Sequence, residues 1–197
     1  MYSDSINKLI SSLRNLPSVG QHTAERFVFH WLKSGKKEVT ELMLSLKNLT
    51  EKVKSCEICW NFSDNNPCPI CADKMRNHNV ICVVSEPPAI PAMEKTGEYK
   101  GVYHVLRGTI EAADPSAINN LKINELIIRA KDKKVIEIIL ALNPDLPGET
   151  TMMYLEKQLA KFNPKLKITR LARGLPTGSD LQYTDEITLG SALKHRY

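Results

Sequence analysis

Four cysteines within sixteen residues constrain this chain more than any other feature: Cys56-x2-Cys59, then eight residues, then Cys68-x2-Cys71. Cysteines three apart in a tight turn aim two sulfurs at one point. Two such knuckles supply four thiolates for a tetrahedral zinc ion, with Zn–S near ~2.3 Å. All four positions would be filled by protein sulfur, leaving no place for an activated water, so the ion is expected to be structural. It would close a segment, Asn61 to Pro69, too polar to bury a core of its own. Two disulfides, or reduced and unliganded thiols, are the competing readings, and both rank below zinc in a cytosolic chain. The total of five cysteines is odd, which argues against a complete disulfide framework. The fifth, Cys82, lies inside an apolar run and reads as a small core residue.

With 197 residues, 42% hydrophobic and 25% charged, the chain has enough apolar material for one medium domain or a core domain with small satellites. A large multidomain machine, a disordered chain and a collagen-like chain are excluded. No apolar run approaches the roughly 20 residues that span a bilayer. Met1-Tyr2-Ser3-Asp4-Ser5 has neither a basic nor an apolar leader pattern, so a cytoplasmic location is expected. The net charge of +5 is unevenly spread: residues 1 to 55 hold nine Lys/Arg against five Asp/Glu. A basic segment of this kind leans toward a polyanionic partner.

In that segment Ile6, Leu9, Ile10 and Leu13, then Ala24, Phe27, Val28, Trp31 and Leu32, repeat at the spacing of amphipathic helices. Val39, Leu42, Leu46, Leu49 and Val53 place a stripe on a third. Between the first two helices, Leu16-Pro17-Ser18-Val19-Gly20-x2-Thr23-Ala24 resembles the hairpin of the helix-hairpin-helix DNA-binding motif. Pro17 and Gly20 would make a tight turn opening a helix whose free amides and positive dipole end suit a phosphate. His22 and Arg26, four apart on one face, would add charge beside it. An ordinary helical hairpin with solvated polar residues is the alternative, and the basic surplus favours DNA. The motif usually has Gly where this chain has Ser18, which makes the turn less able to hug a phosphate.

From Asn79 onward the pattern changes to short, β-branched apolar runs: Val80 to Val84, Val102 to Leu106, Val135 to Ala141 and Leu166 to Leu171. Helical stripes lie between them, including Ile123, Leu126, Ile127 and Ala130, and Met152, Leu155, Leu159 and Phe162. Strands apolar on both faces alternating with helices predict an α/β fold with a parallel sheet covered on both sides. Ligands of such sheets sit beyond the carboxyl ends of the strands. Here that edge carries Ser85-Glu86, Arg107-Gly108, Asn143-Pro144-Asp145 and Arg173-Gly174.

A helical hairpin, a four-cysteine knuckle of this spacing and an α/β domain opening on Ile81-Cys82-Val83-Val84 together resemble the RecR family of bacterial recombination-repair mediators. The resemblance covers essentially the whole chain. It is carried further by Thr96-Gly97-Glu98-Tyr99-x2-Val102 to Leu106, by Asn143-Pro144 with Gly148-Glu149, and by Gly174-Leu175-Pro176-x-Gly178 followed by Asp185-Glu186-x-Thr188-Leu189. The family implies four parts: a helix-hairpin-helix module over 1–53, a zinc finger over 54–78, a Toprim domain over 79–175 and a Walker B-like segment over 176–197. It also implies a homo-oligomer, a dimer or a tetrameric ring able to encircle DNA. Partnership with RecO, and with RecF, in loading RecA recombinase at single-strand gaps is implied as well.

Catalytic Toprim enzymes use a Glu after the first strand and an Asp-x-Asp after a later one, because Mg²⁺ takes several hard carboxylate oxygens. Here the acid after the first strand is Glu86, one place late, and the later pair reads Asn143-Pro144-Asp145. A magnesium-dependent primase-like or nuclease-like enzyme is therefore the rival reading, and a non-enzymatic mediator the favoured one. Glu86, Asp145 and Glu149 would form an acidic patch for a basic protein partner, or else stand as solvated loop carboxylates. Arg107 and Arg173 stand where the family usually has His, and the loop from Thr109 to Asn119 is short. Both arginines are expected either to face DNA inside the ring or to sit in surface salt bridges. The Walker B-like tail has no Gly-x4-Gly-Lys-Ser/Thr partner, so it is expected to pack structurally, not to hydrolyse ATP.

Overall fold

The computed structural model of the chain describes residues 2–111 and 115–196, and side chains for all of these but 115–117. The middle of the short 109–119 loop, residues 112–114, lies outside the described residues. The chain divides into two units, Met1–Val53 and Lys54–Tyr197.

The first unit is helical: α1 (Asp4–Arg14), α2 (Gln21–Ser34) and α3 (Lys36–Lys52). Ile10 of α1 is buried against Ala24 and Val28 of α2, with Ile6, Leu13 and Val19 packed around them. The turn between the helices is closed by Val19 N–H donating to Leu16 O at 3.2 Å. Its left-handed residue is Ser18, at φ 62°, whereas Gly20 is extended at φ −83°. The conformational demand of the hairpin thus falls on the serine. Gly35, at φ 90°, links α2 to α3 in a conformation that suits a residue without Cβ. The stripe expected on α3 is present, but Leu42, Leu46 and Leu49 are exposed and no residue of α3 is buried.

In the second unit the finger comes first. It comprises the antiparallel pair β1 (Lys54–Ser55) and β2 (Phe62–Ser63), then the short helix α4 (Pro69–Ala72). The main sheet follows, with β3 (Asn77–Val84), β4 (Gly101–Val105), β5 (Glu137–Leu140) and β6 (Lys167–Arg170) in the order β4-β3-β5-β6. All three neighbouring pairs are parallel. Successive side chains of a strand point to opposite faces. On one face Ile81, Val83, Ile138 and Leu140 meet Leu126 of α6 (Ile123–Ala130) and Leu155 and Leu159 of α7 (Leu146–Phe162). Each such fully buried leucine contributes ~1.5–3 kcal/mol. On the other face Cys82, Val84, Tyr103 and Val105 pack on Ile90 of α5 (Ala89–Glu94), together with Trp60 and Ile70 from the finger. The fold is α/β with both sheet faces covered, as the doubly apolar runs require.

Helix α7 begins six residues before the stripe that opens on Met152. Asp145 caps it by accepting the Gly148 amide at 2.8 Å, and Pro147 lies in its first turn, where a missing N–H costs nothing. After β6 the chain runs through a short 3-10 turn, Leu181–Tyr183, to α8 (Glu186–Lys194). The acid of the Walker B-like sequence, Asp185, caps α8 through the Thr188 amide at 2.8 Å, and this bond lowers its pKa.

Candidate metal centre and sheet-edge cleft

Sγ atoms of Cys56, Cys59, Cys68 and Cys71 all lie within 4.8 Å of one another, and all four residues are buried. Among the described residues this is the one group of three or more His, Cys, Asp or Glu side chains placed to hold a metal ion. The knuckle is shaped by its backbone: Trp60 N–H donates to Cys56 O at 2.9 Å and Cys56 N–H to Asn61 O at 2.8 Å. Packed this closely the thiols act against one another: hydrogen bonds from Cys59 and Cys71 push the Cys68 thiol down, and the same contacts push Cys59 and Cys71 up, so a cation is what would let all four sulfurs carry charge together. Four soft, enclosed sulfur donors with no open position fit a structural zinc and leave no room for a bound water. Cys82 stands apart inside β3, and its burial pushes the thiol up to about 12, as an inert core thiol requires.

The finger is fastened to the sheet by hydrogen bonds and by cations laid on its aromatic rings. Val105 N–H, on the outer side of β4, donates to Cys59 O at 2.8 Å. Arg107 reaches back into the finger, donating from Nε to Trp60 O at 2.8 Å and from Nη2 to Ser55 Oγ at 3.0 Å. Its guanidinium lies 3.5 Å from the centre of the Phe62 ring, and Lys122 Nζ lies 4.2 Å from that of Trp60. Trp60 and Arg107, bonded to each other, both have left-handed backbones, at φ 63° and 67°. Each such residue costs about 1–2 kcal/mol, so the surrounding contacts must hold both in place.

Beneath the finger, His104 is fully buried in β4. Its ring stands between Lys122 O, 2.7 Å from Nε2, and Arg129 Nη1, 3.2 Å from Nδ1. A carbonyl only accepts and a guanidinium only donates, so the ring is neutral with its proton on Nε2. Burial, aided by Arg129, pushes its pKa down to about 3. Arg129 also donates to Tyr103 O at 2.8 Å, and the charges of Cys71, Cys59 and Cys56 oppose the burial that lowers its own pKa.

At the carboxyl edge of the sheet a cleft of about 630 Å³ gathers Glu86, Arg107 and Asp145 with Gly108, Glu111 and Asn143. Glu86 is exposed, and Gly108 N–H donates to Ser85 O beside it at 3.0 Å. The other two edge residues singled out above lie elsewhere. Glu149 and Arg173 line a neighbouring cavity of about 510 Å³ with Arg170 and Asp185. There Glu149 pairs with Arg173 and, at 2.8 Å, with Arg170. The three acids of the expected patch are therefore divided: one exposed, one capping α7 and one paired with two arginines. Arg107 and Arg173 both spend hydrogen bonds within the chain.

In the helical unit, Gly20 stands at the N-cap of α2 without a capping side chain, and the first turn of α2 holds no acidic residue. His22 is 97% exposed and lies 3.7 Å from Glu25, which also accepts from Gln21. Arg26 is exposed and, among the described residues, has no ion pair or side-chain hydrogen bond. Sequence reasoning missed Ser55, Trp60 and Phe62 as the finger's handholds and His104 with Arg129 beneath it. Two aromatic residues in so short and polar a segment were the available signal.

A parallel α/β sheet with a four-cysteine finger clasped to one edge strand, in a chain that opens with a helical hairpin, defines a zinc-bearing Toprim protein with a helix-hairpin-helix module. Family models agree part by part: RecR, helix-hairpin-helix over residues 6–50; RecR, four-cysteine zinc finger domain over 53–73; Toprim domain over 79–172; and RecR, C-terminal over 174–197. The protein named Recombination protein RecR of Moorella thermoacetica is 45% identical over 196 residues, covering 100% of this chain and 98% of that protein. Its namesake in Bifidobacterium adolescentis is 45% identical over 195 residues, covering 99% of this chain and 96% of that one. The Staphylococcus haemolyticus protein of the same name is 43% identical over 195 residues, covering 99% and 98%. The chain belongs to the RecR family of recombination proteins, and Cys56, Cys59, Cys68 and Cys71 form its structural zinc site. No helix among the described residues is long and apolar enough to cross a membrane.

Proposed function

We propose that this chain is a non-enzymatic recombination and repair mediator that grips DNA through its phosphates. The observation that carries this reading is the start of α2: an N-terminus with no capping side chain and no first-turn acid, beside exposed His22 and an unpaired Arg26. Backbone N–H groups and the helix dipole favour an anion there, and contacts of this kind hold the backbone without reading bases. Gly20, His22 and Arg26 make the direct contact. Arg107 and Arg173, committed to the finger and to Glu149, add positive charge at the sheet edge, where DNA inside an assembled ring would pass. A homo-oligomeric ring multiplies each modest contact. Glu86 and Asp145, in one cleft, form the surface offered to RecO, with RecF as a further partner, in helping RecA load at single-strand gaps. Family membership supports this last step.

The non-catalytic reading rests on the acids. Asp145 caps a helix, Glu149 is ion-paired, and neither joins Glu86 in a group placed for a metal among the described residues. Fluorescence anisotropy with labelled oligonucleotides at several salt concentrations tests the whole reading. Affinity should fall steeply with salt and vary little with sequence, and Arg26→Ala should weaken binding to every oligonucleotide alike while lowering the salt slope by ~1. Salt-insensitive binding would sink it, as would Mg²⁺-dependent turnover of DNA or nucleotides that Asp145→Asn abolishes.

A further inference from the structure

The finger and the sheet-edge cleft share one residue. Arg107 lines the cleft with Glu86, Gly108 and Asp145, yet its guanidinium is held by Ser55, Trp60 and Phe62 of the finger. We propose that Arg107 is a positioning residue through which the zinc-loaded finger sets the shape of the cleft.

The connection runs through contiguous contacts. Zinc holds the two knuckles, and the first knuckle fixes the left-handed Trp60 whose carbonyl accepts from Arg107. Arg107 is itself left-handed, a conformation that an arginine keeps only while something outside its own backbone holds it. The next residue, Gly108, has φ 139°, and a Cβ there would meet Leu121 Cδ2 at 3.0 Å. Gly108 then donates to Ser85 O, fixing the loop that carries Glu86. Releasing Arg107 from the finger removes what offsets its backbone strain, lets the 107–108 turn relax and loosens the Gly108–Ser85 bond. The cleft then loses the wall between Glu86 and the end of β4. Two hydrogen bonds from a charged guanidinium and its seat on the Phe62 ring together offset the strain of one left-handed residue, so the link is strong enough to decide the turn.

The test follows backbone amide exchange in the full-length, zinc-loaded protein, read residue by residue by NMR. Ser55→Ala combined with Phe62→Leu removes two of the finger's holds on Arg107 while leaving all four cysteines in place. Zinc content should remain one per chain, and Gly108 should exchange about tenfold faster or more, while Val83 and Ile138 in the central strands keep their protection. Removing zinc from the unaltered protein with a chelator should accelerate Gly108 by a similar factor. In Arg107→Ala, Gly108 should be fast already and should not respond further to the chelator. Unchanged Gly108 exchange in the zinc-retaining double variant overturns the proposal. Equal acceleration at Val83 and Ile138 also overturns it, since that reports loosening of the whole sheet. If chelation unfolds the chain, the double variant alone decides.

Discussion

Nδ1 of the buried His104 accepts from Nη1 of Arg129 at 3.2 Å, which places a permanent cation against an imidazole that must stay neutral. The pair lies under the finger, and each of its members bonds to the backbone of the strand or helix beside it: His104 to Lys122 O, Arg129 to Tyr103 O.

Acid should therefore act on the fold through this ring. The folded pKa of His104 is depressed from 6.5 to about 3, so below pH 6.5 the unfolded chain binds a proton that the folded chain refuses. Stability is full above that value and falls as the pH drops through this window, by about 2 kcal/mol between pH 6.5 and 5. In His104→Gln, urea midpoints measured with zinc in excess should show a flatter profile over the same range, though the variant is less stable at pH 7. Parallel profiles for the two proteins would remove His104 from the account.

Metal content separates the cysteines into two kinds. Cys71→Ser should lose the one bound zinc and at least about 3 kcal/mol of stability, since binding energy at such a site is folding energy. Cys82→Ser buries a hydroxyl in β3, should cost about 1–3 kcal/mol and should keep full zinc occupancy. Elemental analysis alongside denaturant titration distinguishes the two outcomes.

At the hairpin, Ser18 carries the strain that a glycine would avoid. Ser18→Gly should stabilise the helical unit by about 0.5 kcal/mol, the relief of a left-handed residue offset by the greater freedom of glycine in the unfolded chain. Gly20→Ala meets no atom within 4 Å; the loss of a favoured N-cap residue is offset by the stiffer unfolded chain, so thermal stability should stay within about 0.5 kcal/mol of the parent. A fall in DNA affinity in Gly20→Ala without a fall in melting temperature would mark that position as a contact.

A Cβ on Gly148 would lie 2.0 Å from Asn143 O and 2.9 Å from Asp145 Oδ1. Gly148→Ala should therefore cost on the order of 3 kcal/mol, by forcing apart the turn that starts α7. A shift in the denaturant midpoint with unchanged slope is the expected signature. A variant as stable as the parent would show that the turn can open freely.

The parts of this structure visible in the sequence are those that local pattern dictates. Val80 to Val84 reads as a strand buried on both faces because every position is apolar, and it lies at the centre of the sheet. The four cysteines read as one site because their spacing is itself the geometry of a knuckle. What stayed hidden depends on distant pairing: Arg107 binds residues 47 and 52 positions away, a relationship that no periodicity encodes. Two acids have a local role that motif reading does not show: Asp145 reads from the sequence as part of a partner-binding patch and Asp185 as part of a structural Walker B-like tail, and both are helix caps. Asp145 and Asp185 each precede a helix and accept an amide three residues on, so a carboxylate at the end of a strand or loop served to start α7 and α8. Ser18 was noted as a departure from the motif, but only the backbone shows that it occupies the left-handed position.

The seat of Cys59 O on the Val105 amide has a consequence for life at high concentration. β4 is an outermost strand of the sheet, and the unpaired backbone of such a strand is a template onto which another chain can add. The finger occupies that flank, with Ile70 and Trp60 laid over the adjoining apolar face. The metal that closes the finger thus has a second duty: by holding Cys59 in its seat it keeps this flank of β4 covered.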